Sequence, residues 1–190
     1  MIANLVILAL LLAIAAYVAG IYNGLVRLRE GVRIAWSNIG VVLKQRHDEL
    51  PKLVEACRQY MRHEQATLER VMQARGAVAL AEGRRDLPAL GAAEGQLRAG
   101  LGQLFALAEA YPDLKADTGF AQLSGRISAL EEQIADRREL YNDSVNLNNV
   151  RIDSVPDVFV ARACGFRRAE LLEFAAAETA DVDVRQLFGD

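Results

Sequence analysis

Residues 36–64 read "WSNIGVVLKQRHDELPKLVEACRQYMRHE" and contain both histidines of the chain, one of its two cysteines and a proline. This stretch is either a metal or catalytic site or part of a long helix. Helix geometry favours the second reading. At about 100° and 1.5 Å per residue, His47 and His63 lie roughly 160° apart in rotation and roughly 24 Å apart along one helix. They cannot share a metal there. A zinc-binding HExxH helix needs histidines at i and i+4, whereas His63-Glu64 is followed by Gln65, Ala66 and Thr67. Trp36, Ile39, Leu43, Leu50, Leu53, Cys57 and Tyr60 instead recur on three- and four-residue steps, with Arg46 the one polar member of the seam. Cys57 sits in an apolar stripe and reads as a small core hydrophobe.

Towards the amino terminus, "MIANLVILALLLAIAAYVAGIYNGLV" (1–26) carries no charged side chain. That exceeds the ~20 apolar residues needed to cross a ~30 Å hydrocarbon core. The anchor set is Leu5, Ile7, Leu8, Leu11, Leu12, Ile14, Tyr17, Val18 and Tyr22, with the two tyrosines suited to an interface. A cleavable signal peptide would start with a basic region, which is missing. A buried core helix would keep some solvent-facing polarity. Arg27, Arg29, Arg33 and Lys44 follow the span and nothing basic precedes it, so the positive-inside rule predicts one pass with the carboxy-terminal part in the cytoplasm.

Towards the carboxy terminus, helical periodicity runs from Gly24 to about Ala81 with one interruption, Pro51. Either one helix continues through a kink, or Asp48 caps a second helix with Pro51 in its first turn. The lack of a Gly C-cap before Asp48 favours continuity. In "EGRRDLPAL" (82–90), Gly83 marks a helix end, Asp86 an N-cap and Pro88 a first turn. Leu90, Leu97, Leu101, Leu104 and Ala108 form the next coiled-coil-like stripe, with Gly91, Gly95, Gly100 and Gly102 pointing to close helix approach. Asp117 or Thr118 caps a helix whose seam is Phe120, Leu123, Ile127, Leu130, Ile134, Tyr141 and Val145, ending before Pro156. Beyond it, Phe159, Phe166 and Phe174 alternate with Arg162, Arg167 and Arg168, either as an interfacial amphipathic segment or packed on the bundle. The final stretch from Glu170 carries Glu170, Glu173, Glu178, Asp181, Asp183 and Asp190 against Arg185 alone and reads as a solvated acidic tail.

The expected fold class is therefore all-α: an N-terminal transmembrane helix (1–24), an antiparallel bundle of long helices (25–157), and a C-terminal amphipathic segment with its tail (158–190). Hydrophobic residues make up 52% of the chain and aromatics 6%, which disfavours a large sheet. A net charge of -3 argues against a general nucleic-acid binder. Two cysteines make no disulfide framework and no CxxC pair, and no metal or cofactor is expected.

The chain resembles bacterial LemA proteins in "YNGLVRLREGVRIAWSNIGVVLKQRHDELPKLVEACRQYMRHE" (22–64), "LGQLFALAEAYPDLKAD" (101–117), "RRELYNDSVNLNNVRIDSVPD" (137–157) and "GFRRAELLEF" (165–174). The residues carrying the resemblance are Trp36, His47, Asp48, Pro51, Tyr60, Glu64, Tyr111, Pro112, Asp113, Tyr141 and Asn142. It implies a membrane-anchored helical bundle with an amino-terminal transmembrane helix and does not imply an enzyme; none is expected, and the family's magnetosome members suggest membrane remodelling or scaffolding on the bacterial inner membrane. Gly40, where the family often has an acidic residue, and the abundant glycines of 91–102 depart from its pattern.

The expected role is a self-associating scaffold on the bilayer. With one helix over 24–80 and only 86–111 returning along it, Trp36, Ile39, Val42 and Leu43 would stay uncovered unless the carboxy-terminal segment or another subunit packs there, which makes them the candidate self-association stripe. The alternative is an adaptor that presents a cytoplasmic surface to a membrane protease or signalling protein.

Overall fold

A computed structural model describes residues 1–174, and Glu178, Asp181, Asp183 and Asp190 of the expected tail lie outside them. Among the described residues there are helices and no strand: α1 (Ile2–Tyr60), α2 (Gln65–Arg84), α3 (Leu87–Ala108), α4 (Pro112–Ala116), α5 (Thr118–Asp153) and α6 (Asp157–Ala163).

α1 continues through Pro51 and ends at Tyr60. The periodicity predicted helix to about Ala81, and the structure corrects this with a turn over 61–64. The Met61 amide still bonds to the Cys57 carbonyl (2.8 Å), after which Glu64 closes back on Met61 (3.1 Å). Met61 is fully buried in this turn, so tertiary burial fixes a break that has no glycine or proline to announce it. Gly83 does not end α2 either. The left-handed residue after α2 is Arg85 (φ 53°), with the Asp86 amide bonded to the Ala81 carbonyl at 3.1 Å. Asp86 caps α3 by accepting from the Ala89 amide (3.0 Å), and Asp117 caps α5 by accepting from the Phe120 amide (2.8 Å).

The chain divides into two compact units. The first comprises Met1–Gln45 and Ala129–Leu171. In it α5 runs antiparallel to α1: Tyr141 meets Trp36 edge-on with ring centroids 5.7 Å apart, and Ile152 shares a buried cluster with Ile21, Leu25 and Ala161. Ile39, Val42 and Leu43 are buried here and Trp36 is half-buried. Of the two expected covers for the stripe, the carboxy-terminal part of the same chain supplies it: α5, at about 1.5 Å per residue ~54 Å long, lies against α1 here. The segment after α6 folds back on the same unit. Asn149 pairs with the backbone of Ala169 in both directions at 2.9 Å, and the Tyr141 hydroxyl donates to the Glu170 carbonyl at 2.9 Å.

The second unit comprises Arg46–Ser128 and the described residues from Leu172. Here the last turns of α1, α2, α3 and the start of α5 surround Leu50, Leu53, Cys57, Val71, Leu97 and Leu104. The glycines of α3 play different parts. A Cβ on Gly91 would clash with the Glu173 carbonyl oxygen, so Gly91 lets the non-helical backbone after α6 approach rather than a helix. A Cβ on Gly100 would lie 3.3 Å from the Val71 side chain of α2, the helix contact that the composition suggested, whereas one on Gly102 would meet open space.

Candidate functional site

The anchor residues Leu5, Ile7, Leu8, Leu11, Leu12, Ile14, Tyr17, Val18 and Tyr22 are all exposed on α1. Every residue from Met1 to Gly20 is exposed, and burial begins at Ile21. Twenty residues at ~1.5 Å each give ~30 Å, the thickness of a bilayer's hydrocarbon core. This is the single helix among the described residues long and apolar enough to cross a membrane. Of the flanking arginines, Arg33 donates to Glu30 (2.8 Å) and Arg29 lies 5.1 Å from the Phe166 ring centre.

The two histidines do not meet. His63 is exposed in the 61–64 turn, whereas His47 is half-buried beside α2. The proline four residues on explains the surroundings of His47. Pro51 has no N–H to donate to the His47 carbonyl, which leaves that acceptor open inside a helix. Arg75 of α2 fills the gap, donating through Nε to the His47 carbonyl at 2.8 Å. Its Nη2 approaches His47 Nε2 at 2.6 Å, which requires the tautomer with the proton on Nδ1. Burial and the Arg75 charge push the His47 pKa down, so the ring stays neutral. The His47–Pro51 pair is thus a docking point for α2. Arg75→Met is expected to lower stability by about 1–3 kcal/mol, the cost of an unmet buried acceptor. Pro51→Ala in that background restores the helical donor and regains part of the loss in urea unfolding; equal losses with and without Pro51 would refute the pairing.

The other residues of the resemblance also fasten helices and turns. The Tyr60 hydroxyl donates to the Asp117 carboxylate (3.1 Å), tying the end of α1 to the cap of α5. That bond pushes the tyrosine pKa up, while the Phe120 amide and then Tyr60 hold the Asp117 carboxyl down. The Glu64 carbonyl opens α2 by accepting from Thr67 (3.0 Å) and Leu68 (3.2 Å). Tyr111 precedes α4, whose first residue is Pro112 and whose first turn carries Asp113. Asp48 is exposed and Asn142 half-buried. Glu49 accepts from Lys52 (3.2 Å) and lies 3.6 Å from Arg126, so this carboxylate serves ion pairs. Cys57 is buried, and burial pushes its thiol pKa up to about 11, which suits a packing residue rather than a nucleophile. Among the described residues no three His, Cys, Asp or Glu side chains converge as a metal set.

One buried contact went unread in the sequence. Arg46 of α1 and Glu94 of α3 form an ion pair with side chains only 1% and 2% exposed. Glu94 falls four residues after Leu90 and three before Leu97, so each seam carries one charged interruption, and the two are of opposite sign. That match was the available signal. Glu82 lies in the same field: burial and then the Glu94 charge push its carboxyl pKa up.

The arrangement therefore defines a class: a helical bundle carried on one exposed, bilayer-length apolar helix, with His47, Tyr60, Trp36 and Tyr141 of the motif joining helices. The chain belongs to the LemA family, whose model matches residues 35–185. It is 32% identical over 100 residues to magnetosome proteins MamQ 2 and MamQ 1 of Paramagnetospirillum magneticum, and 30% identical over 100 residues to magnetosome protein MamQ of Magnetospirillum gryphiswaldense. Each match covers 53% of this chain and 37% of the relative, so the aligned part spans well under half of each relative's length. Family, relatives and apolar helix together make this a membrane-associated LemA-like protein.

Proposed function

We propose that the chain is a non-enzymatic, single-pass scaffold of the bacterial inner membrane that self-associates, with its bundle on the cytoplasmic side. The arginines at 27, 29 and 33 support that orientation. The observation that carries self-association is an outward apolar row on α5 of the first unit: Leu140, Leu147 and Val150 are 53%, 63% and 66% exposed. Leu140 and Leu147 are seven residues apart, the repeat of a helix-to-helix seam, and they face away from the chain's own core. Ile34 and Val41 repeat the spacing on α1 and are likewise exposed. A second copy tethered in the same bilayer carries the same rows, which suits a symmetric contact. Kinship with magnetosome proteins supports a role at a membrane.

The test uses the full chain. Leu147→Cys in a Cys164→Ser background is expected to cross-link between copies in native membranes, and the protein extracted in mild detergent to run as a discrete assembly. Leu140→Glu with Leu147→Glu removes about 1.5–3 kcal/mol of apolar burial per site, at least tenfold in association each. A strict monomer at every concentration with no cross-link overturns the reading. A monomer co-purifying with one membrane protease or signalling protein replaces it with the adaptor role.

A further inference from the structure

We infer that the corner between α5 and α6 is a second membrane contact, which inserts Val155 and Phe159 at the headgroup level and binds anionic lipid phosphates through Arg162 and Arg167. It rests on residues 1–20 being the membrane span and is independent of self-association.

The first unit places the corner by itself. α5 runs along α1 towards the span, since Tyr141 lies at Trp36 and Ile152 at Ile21 and Leu25. Ile21 is also where α1 first becomes buried, after about 30 Å of uncovered apolar helix. α5 ends one residue beyond Ile152, so the turn at 154–156 is carried to the level where the hydrocarbon core gives way to headgroups. Ala161 returns from α6 to the same cluster, and Phe166 packs edge-on against Tyr22 with centroids 5.7 Å apart. Both sides of the corner are thus pinned to the first covered turns of α1.

What the corner exposes there is the wrong composition for water. Val155 is 77% and Phe159 68% exposed, at the tip of a chain reversal whose other apolar residues are packed. Two exposed apolar side chains beside a membrane surface gain by entering it, as in interfacial segments. The charges complete the match. Arg151 pairs with Asp157, and Arg168 donates to Asp153 at 3.0 Å, which neutralises both aspartates of the corner. Arg162 and Arg167 remain exposed as its excess positive charge. An anionic leaflet is the complementary partner, and a basic side chain near it contributes about fivefold in binding.

The full chain, reconstituted in acyl-brominated phosphatidylcholine vesicles with and without phosphatidylglycerol, provides the test. In a Trp36→Phe background, a single tryptophan is placed by Phe159→Trp, Tyr17→Trp or Leu140→Trp. Leu140 is exposed on the same helix about 18 Å from Ile152 along its axis. Tryptophan at 17 and at 159 should be quenched by the bromolipid and tryptophan at 140 should keep its emission. Quenching at 159 should deepen with phosphatidylglycerol and lose that dependence in Arg162→Gln with Arg167→Gln. Quenching at 17 but not at 159 overturns the corner contact alone. No quenching at 17 overturns the span and the corner together. Quenching at 159 that ignores phosphatidylglycerol overturns the anionic-lipid half.

Discussion

Glu94→Leu is expected to lower the stability of the folded chain by about 3–5 kcal/mol, because it leaves the Arg46 guanidinium buried without its carboxylate. Both side chains are almost entirely shielded from water, so neither charge is rehydrated by a small movement. The pair itself adds little net stability, since the desolvation of two ions offsets most of their attraction. The double change Arg46→Met with Glu94→Leu is therefore expected to recover most of the loss, as an apolar contact at the same two seam positions. Urea unfolding of the detergent-solubilised full chain, followed by helical circular dichroism, checks both. A double variant that loses the sum of the two single losses would show that the ions act independently and would sink this account. If the double variant is as stable as the wild type but cross-links in several patterns, the pair serves to fix the register of α1 against α3.

Arginine at both Leu8 and Leu12 is expected to release the protein from the membrane. Residues 1–20 contain five Leu, three Ile and two Val. At about 0.3–0.6 kcal/mol each, they favour insertion by roughly 3–6 kcal/mol. Two mid-span arginines cost about 5–7 kcal/mol, enough to reverse the sign. One arginine would leave the balance near zero, which is why both are needed. Both leucines are more than half exposed, so their replacement disturbs no internal packing and the two effects stay separate. Extraction of membranes with alkaline carbonate is the measurement: wild type and Asn23→Arg, beyond the uncovered stretch, should stay in the pellet while the double variant moves to the supernatant. Retention of the double variant would mean that another part of the chain holds it to the bilayer. The corner at Val155 and Phe159 is then the first place to look.

The limits of the sequence show at particular residues. The Pro51 signal was read for continuity of α1, and α1 does continue. The missing half was the acceptor that Pro51 leaves behind, because Arg75 lies on a helix whose approach no local pattern specifies. The 61–64 turn was invisible for a related reason: its cause is the burial of Met61 and the Tyr60–Asp117 bond, contacts made across 57 residues of chain in the second case. The returning helices are close to the lengths their patterns predict, but the sequence reading sets only 86–111 against α1 and gives the helix after Asp117 no partner. The Trp36 to Leu43 stripe therefore falls there to the carboxy-terminal segment or a second subunit, and α5 of the same chain covers most of it.

By itself the sequence determined the all-α class, the apolar helix of bilayer length, the cap at Asp86 and the core place of Cys57, and it narrowed the α5 cap to Asp117 or Thr118. These rest on period, composition and interactions a few residues apart. Only the tertiary structure decided which helix faces cover one another, that Arg46 and Glu94 neutralise each other, and that the apolar rows left exposed include Leu140–Leu147, Ile34–Val41 and Val155–Phe159, whereas Ile39, Val42 and Leu43 are buried. Those outcomes depend on the register of helices distant in the chain. Small displacements of a turn reset that register without changing any local pattern.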